Sequence, residues 1–246
     1  MASTDNYYVQ KKDHWLKFYR DIMENKRVQH SVLQKYFTPK KIEDLKSKMQ
    51  QQFEELLPQI PDFGRKQISQ FSTDMVKTAL SLAFYRVLKE EGFQLHEIGH
   101  IIYGISEAFY GSMNPIKKFI MRRFYLSSST HRRAKKAIEQ RKLPLDPEDY
   151  HCTFVEGDHE NLLFGLDYTN CAGLHFLKNQ NALELAPYLC LCDYPIYRAI
   201  DIGFNRSQNL AIGGTACMFR WYRKYPTEIG WPPEEVTEYK DFEFME

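Results

Sequence analysis

Through the first 145 residues, large apolar side chains recur at helical spacing between polar runs. Lys12 to Glu24 carries Trp15, Phe18, Tyr19 and Ile22 on one face. Thr38-Pro39 is a helix start, with Thr as N-cap and Pro in the first helical position. The helix it opens runs to about Leu57, and Pro58 and Pro61 mark a linker. Gly64 to Glu91 forms a long segment with Phe71, Met75, Leu80, Leu82, Phe84, Val87 and Leu88 inward, ended by Gly92. Gln94 to Tyr110, closed by Gly111, is a further helix. Asn114-Pro115 opens another, which carries Ile116, Phe119, Ile120 and Phe124.

The pattern changes at Leu143-Pro144-Leu145-Asp146-Pro147. Tyr150 to Glu156 and Asn161 to Tyr168 read as a hairpin turning near Gly157-Asp158. Cys171 to Asn179 and Glu184 to Ile202 read as helices, the second kinked near Pro195. Phe204 to Ile212 and Ala216 to Arg223 read as a second hairpin, turning at Gly213-Gly214. The expected fold is α+β: a helical N-terminal portion, residues 1–145, packed on a small antiparallel sheet of two hairpins with helices inserted between them, residues 146–226. Residues 227–246 form an acidic tail expected on the surface.

Composition narrows the class. Of 246 residues, 43% are hydrophobic and 15% aromatic, enough for a substantial core. A net charge of +1 gives the whole chain no pull toward nucleic acid or membrane. Met1 to Gln10 is polar, unlike a secretion signal, and no apolar run approaches the roughly 20 residues that span a bilayer. The five cysteines, Cys152, Cys171, Cys190, Cys192 and Cys217, are odd in number and all follow residue 150. They read as free thiols in a reducing compartment, which places the chain in the cytoplasm. Self-association is left open.

Two motifs stand apart. His96-Glu97-Ile98-Gly99-His100 matches the H-E-x-x-H pattern of zinc peptidases. On a helix, however, Leu95, Ile98, Ile101, Ile102, Ile105 and Phe109 share one face, and the two histidines fall opposite it. No third ligand sits within reach, so a surface pair and no metal site is expected. The stretch from Lys117 to Lys142 holds Lys117, Lys118, Arg122, Arg123, Arg132, Arg133, Lys135, Lys136, Arg141 and Lys142 against Glu139 alone. Such a run can bind phosphate or an acidic membrane, or pair with the chain's own acids; a solvated helix face is the expectation.

The chemistry-bearing residues converge late. Gly165-Leu-Asp-Tyr-Thr-Asn-Cys171, Leu185-Ala-Pro-Tyr-Leu-Cys190-Leu-Cys-Asp193, Asn205-Arg206 through Ala211-Ile-Gly213-Gly214, and Cys217-Met-Phe-Arg220 follow one another in order. This set resembles the L-2-amino-thiazoline-4-carboxylic acid hydrolase family. The resemblance implies a cofactor-independent enzyme that opens a small amino-acid-derived heterocycle by adding water, giving an N-carbamoyl cysteine. Ala216 and Met218 flank Cys217 where the family tends to carry an acid. Ring formation or another addition, and a binding module without turnover, stand beside hydrolysis.

Asp193, then Asp167, are the candidate carboxylates to orient an amidinium and take a proton from water. Cys190 and Cys171 are candidate nucleophiles if a neighbouring arginine lowers their pKa. Cys217 and Tyr168 are expected in the substrate-binding set, with Arg206 and Arg220 on a substrate carboxylate. His175, four residues past Cys171, completes it. No nucleotide-loop, flavin or serine-hydrolase motif is present, so a small molecule is the expected partner and no cofactor is.

Overall fold

A computed structural model describes residues 6–63, 69–141, 145–158 and 160–244. The expected helix start at Gly64 and the change of pattern at Leu143-Pro144 lie outside these residues. The chain divides into two units: Met1–Phe109 with Gly173–Leu189 and the last three residues, and Tyr110–Ala172 with Cys190–Glu243.

The first unit is helical. Its helices include α1 (Lys12–Met23), α2 (Pro39–Leu56), α3 (Ser69–Glu90) and α4 (Leu95–Gly111). Thr38 caps α2 by accepting from the Lys41 N–H, with Pro39 opening the first turn as its fixed φ favours. Ile42, Leu45, Met49, Phe53 and Leu56 then recur every three or four residues and are all buried. α3 is buried along most of its length, with Phe71, Met75, Val76, Leu82, Phe84 and Leu88 in the core. Ile98, Ile101, Ile102 and Ile105 bury the inner face of α4, as their spacing predicts.

The two histidines of α4 are held by aromatic neighbours. The His96 ring meets Tyr188 edge-on at 6.1 Å, and His100 Nδ1 lies 3.2 Å from the Tyr36 hydroxyl. Gly99 between them sits against Tyr188 so closely that a Cβ there would lie 2.3 Å from the ring. The glycine of this motif thus serves close packing of a buried tyrosine.

The second unit holds α5 (Pro115–Leu126), α6 (Ser128–Glu139) and a four-stranded sheet. The strands are β1 (His151–Glu156), β2 (Leu162–Asn170), β3 (Gly203–Arg206) and β4 (Cys217–Tyr222), in the order β1-β2-β4-β3 and antiparallel throughout. α7 (Ala172–Asn179), α8 (Ala186–Leu191) and α9 (Asp193–Ala199) fall between β2 and β3. The α+β class and the two antiparallel strand pairs with intervening helices are as the sequence implied. Asp158 shapes the first hairpin by accepting from the N–H groups of Glu160, Asn161 and Leu162.

One sheet face is aromatic. Phe164 stacks on Trp221 at 4.6 Å and on Phe154 at 5.7 Å, and Tyr197 stacks on Phe204 at 4.6 Å. Tyr125 of α5 lies parallel to Phe164 at 6.5 Å and closes the layer. Buried rings of this kind contribute area and edge geometry together.

Three expectations are corrected. The helix drawn over Glu184 to Ile202 breaks at Cys192, between α8 and α9, rather than at Pro195. Pro195 sits in the first turn of α9, where its missing N–H would have had no helical partner. The strand drawn to Ile212 ends at Arg206, because the Asn209 side chain accepts the Ala211 N–H and offers the backbone a turn instead. Gly213, at φ 87°, completes that turn in a conformation few other residues adopt. The acidic tail is not confined to the surface: Val236 and Tyr239 are core residues and the Glu238 carboxylate is fully enclosed.

No described helix is long and apolar enough to cross a membrane.

Candidate active site

Asp193, Arg206 and Glu238 form a charged trio in the second unit, with Arg206 and Glu238 enclosed and Asp193 at its open end. Arg206 ends β3 with its side chain 1% exposed. Its Nε and Nη2 donate to the two Glu238 oxygens at 2.7 and 2.6 Å, a bidentate fork. Nη1 donates to Asp193 at 2.7 Å and Nη2 to the Cys190 carbonyl at 2.9 Å. Phe219 and Tyr194 present ring faces to the guanidinium at 5.1 and 5.9 Å. Tyr194 also donates its hydroxyl to Glu238 at 3.0 Å.

Burial should lower the Arg206 pKa, but the Glu238 charge and hydrogen bonds outweigh it, and the net shift is well upward. Two carboxylates against one guanidinium give the trio a formal charge of −1. Of the two carboxylates, Asp193 is the one that reaches solvent, at 40% exposure, from the first residue of α9.

Three cysteines gather on this network. Cys190 feels the charges of Arg206, Cys217, Asp193 and Cys171, yet desolvation dominates and pushes its thiol well above the ordinary range. Burial likewise raises Cys217, against the opposing pull of Arg206. Cys217 Sγ accepts the Leu210 N–H at 3.2 Å and lies 3.7 Å from Asn209 Oδ1. Both thiols therefore rest protonated at neutral pH.

Asn209, itself buried, donates to the Tyr239 hydroxyl at 2.9 Å. A cavity of about 250 Å³ opens beside it, lined by Gln208, Asn209, Ile212, Gly214, Glu238 and Phe242. That volume is below the roughly 300–1,000 Å³ of drug-sized pockets, and Asp193, Cys190 and Cys217 are not among its lining residues. The first unit has a separate hollow of about 520 Å³, where Lys89 donates to the Tyr85 hydroxyl at 2.6 Å and Tyr85 donates to Glu184 at 2.5 Å.

The predicted residues separate by sheet face. Cys217 pairs with Tyr168, and Phe219 with Arg206. Strand alternation puts these four on the aromatic face, Tyr168 meeting Phe219 at 5.3 Å. Asp167 and Arg220 fall on the opposite face, where they pair with each other at 2.6 Å. Convergence of Arg220 with Cys190 and Asp193 around one hollow is therefore not found. Cys171 immediately precedes α7, and His175 lies within it. Arg206 has its three guanidinium nitrogens engaged by Glu238, Asp193 and the Cys190 carbonyl. Glu238 and Asn209 were missed. The signal for Glu238 was chemical: an arginine ending a core strand requires a buried acid, and the tail was the richest source.

Among the described residues, no three His, Cys, Asp or Glu side chains converge as a metal ion would need. No curated protein and no solved structure matches the chain. A family model does, over residues 75–221, which include every predicted site residue, Arg206 among them, but stop short of Glu238. That span is more than half of the chain, and it places the protein in the L-2-amino-thiazoline-4-carboxylic acid hydrolase family.

Proposed function

We propose that the chain catalyses hydrolytic opening of a small cyclic amidine such as 2-amino-thiazoline-4-carboxylate. The observation that carries this reading is the excess negative charge of the Asp193–Arg206–Glu238 trio, with Asp193 presenting its carboxylate to solvent. A cationic amidinium is the complementary charge. Asp193 orients it and accepts a proton from water as oxygen adds to the carbon between nitrogen and sulfur. The tetrahedral carbon then expels sulfur. The C–S bond breaks, the proton passes to the departing sulfur, and an N-carbamoyl cysteine with a free thiol results.

Arg206 and Glu238 act as positioning residues. The bidentate fork holds the guanidinium, and the guanidinium holds one oxygen of Asp193 at 2.7 Å. Cys190 and Cys217 serve as neutral, polarisable surroundings for the leaving sulfur rather than as nucleophiles, in keeping with their upward shifts. Asp167 and Arg220 take part in sheet pairing on the far face.

Supplying 2-amino-thiazoline-4-carboxylate and titrating free thiol tests this. The native chain should release thiol, Asp193→Asn should lose about 100-fold or more in kcat, and Cys190→Ala should keep most of the rate. Saturable binding with no thiol released would make the chain a binding module. Unchanged turnover in Asp193→Asn, or its abolition in Cys190→Ala, would refute the assignment of roles.

A further inference from the structure

We propose that α5 is an interfacial helix that docks the chain on anionic lipid bilayers, lying on the surface rather than spanning it. The inference is independent of the proposed reaction. α5 packs one face into the second unit: Arg122 pairs with Asp201 at 3.1 Å, and Tyr125 donates to the Tyr197 hydroxyl at 3.4 Å. Its other face carries Ile116, Phe119, Ile120 and Phe124, exposed by 69, 64, 61 and 58%. At about 100° per residue these four form one continuous arc. Four large apolar residues so exposed on one helix are what a folded chain avoids unless something covers them.

Charge selects the cover. Residues 117–141 contain nine basic residues and one acid, a local net charge of +8 in a chain of +1, so the rest of the chain carries −7. α5 itself has four basic residues and no acid. Lys117 borders the apolar arc and Arg123 falls inside it, both exposed. Neither makes an ion pair with a described residue, and the same holds for Arg132, Arg133 and Lys136 of α6. A second copy of the chain laid two-fold against α5 would bring eight like charges to one seam. A folded protein partner would have to desolvate Arg123 against a matching acid, a costly burial. At a lipid surface the Arg123 stem covers apolar area while its guanidinium reaches back to the headgroups. Apolar side chains buried about 5–10 Å with basic residues at the phosphates is the known geometry of surface helices.

The test is sedimentation of the full chain with vesicles of phosphatidylcholine alone and of phosphatidylcholine mixed with phosphatidylglycerol. Binding is expected with the mixed vesicles, weakened by added salt, and absent in the variant carrying Phe119→Asp and Ile120→Asp. Lys117→Glu and Arg123→Glu should each weaken it by at least about fivefold. All four positions are exposed, so circular dichroism and melting temperature should match the native chain. Failure of the native chain to sediment with the mixed vesicles would overturn the proposal, as would equal sedimentation of the Phe119→Asp, Ile120→Asp variant. So would a solution dimer that the same variant turns into a monomer, since the arc would then belong to a second copy.

Discussion

A guanidinium enclosed like that of Arg206 is tolerable only because two carboxylates and a carbonyl meet its donors, leaving little of its hydrogen-bonding capacity unmet. The neighbouring thiols lack such compensation, and burial keeps them protonated. Cys152, on the same sheet face, is pushed up to about 11 by desolvation. A thiol whose folded pKa is raised gives stability that is complete below the ordinary thiol value. That stability is lost as pH climbs through the window up to about 11, where the unfolded chain deprotonates and the folded one does not. Two consequences are measurable by mass mapping after brief iodoacetamide treatment near pH 8. Cys152, Cys190 and Cys217 should alkylate at least about tenfold more slowly in the native chain than in urea. Fast labelling of native Cys190 would instead mark it as an activated nucleophile.

Helix α4 allows a paired test at the level of one element. Gly99 and Gly104 both lie within it, and alanine is intrinsically the better helix former by about 1 kcal/mol. At Gly99 the added methyl would meet the buried Tyr188 ring at 2.3 Å, whereas at Gly104 it would touch Val32 at an ordinary 3.4 Å. Gly99→Ala should therefore destabilise by about 1–3 kcal/mol, and Gly104→Ala should be neutral or stabilising by up to about 1 kcal/mol. Urea unfolding should show a lower midpoint for Gly99→Ala and an unchanged or higher one for Gly104→Ala. The same scale explains what was readable in advance. α2 announced itself through Thr38-Pro39, and α4 through its isoleucines. The strands after residue 150 were legible from their apolar runs and turn residues. The opposition of Cys217 and Arg220 was readable too, since residues three apart on a strand face opposite ways. The Arg206–Glu238 fork left only a chemical trace, the need of a buried arginine for an acid, because it joins groups 32 residues apart and no local pattern names the partner.

The tail and the order of the chain matter to the molecule as a whole. Removing residues from Glu228 onward takes away Glu238, Val236 and Tyr239 together, and leaves Arg206 with only Asp193 and the Cys190 carbonyl as partners. Loss of the acid alone should cost about 3–5 kcal/mol, so Glu238→Gln should show a marked drop in melting temperature and the truncated chain a greater one. The sheet adds a consequence for how the protein is made. β2 hydrogen-bonds to β1 on one side and to β4 on the other, but β4 leaves the ribosome only after α7, α8, α9 and β3. Until then the nascent hairpin carries a naked row of amides and carbonyls, the kind of edge to which stray strands attach. Strand order thus sets an interval during synthesis, from the completion of β2 to the emergence of β4, in which chaperone demand should rise.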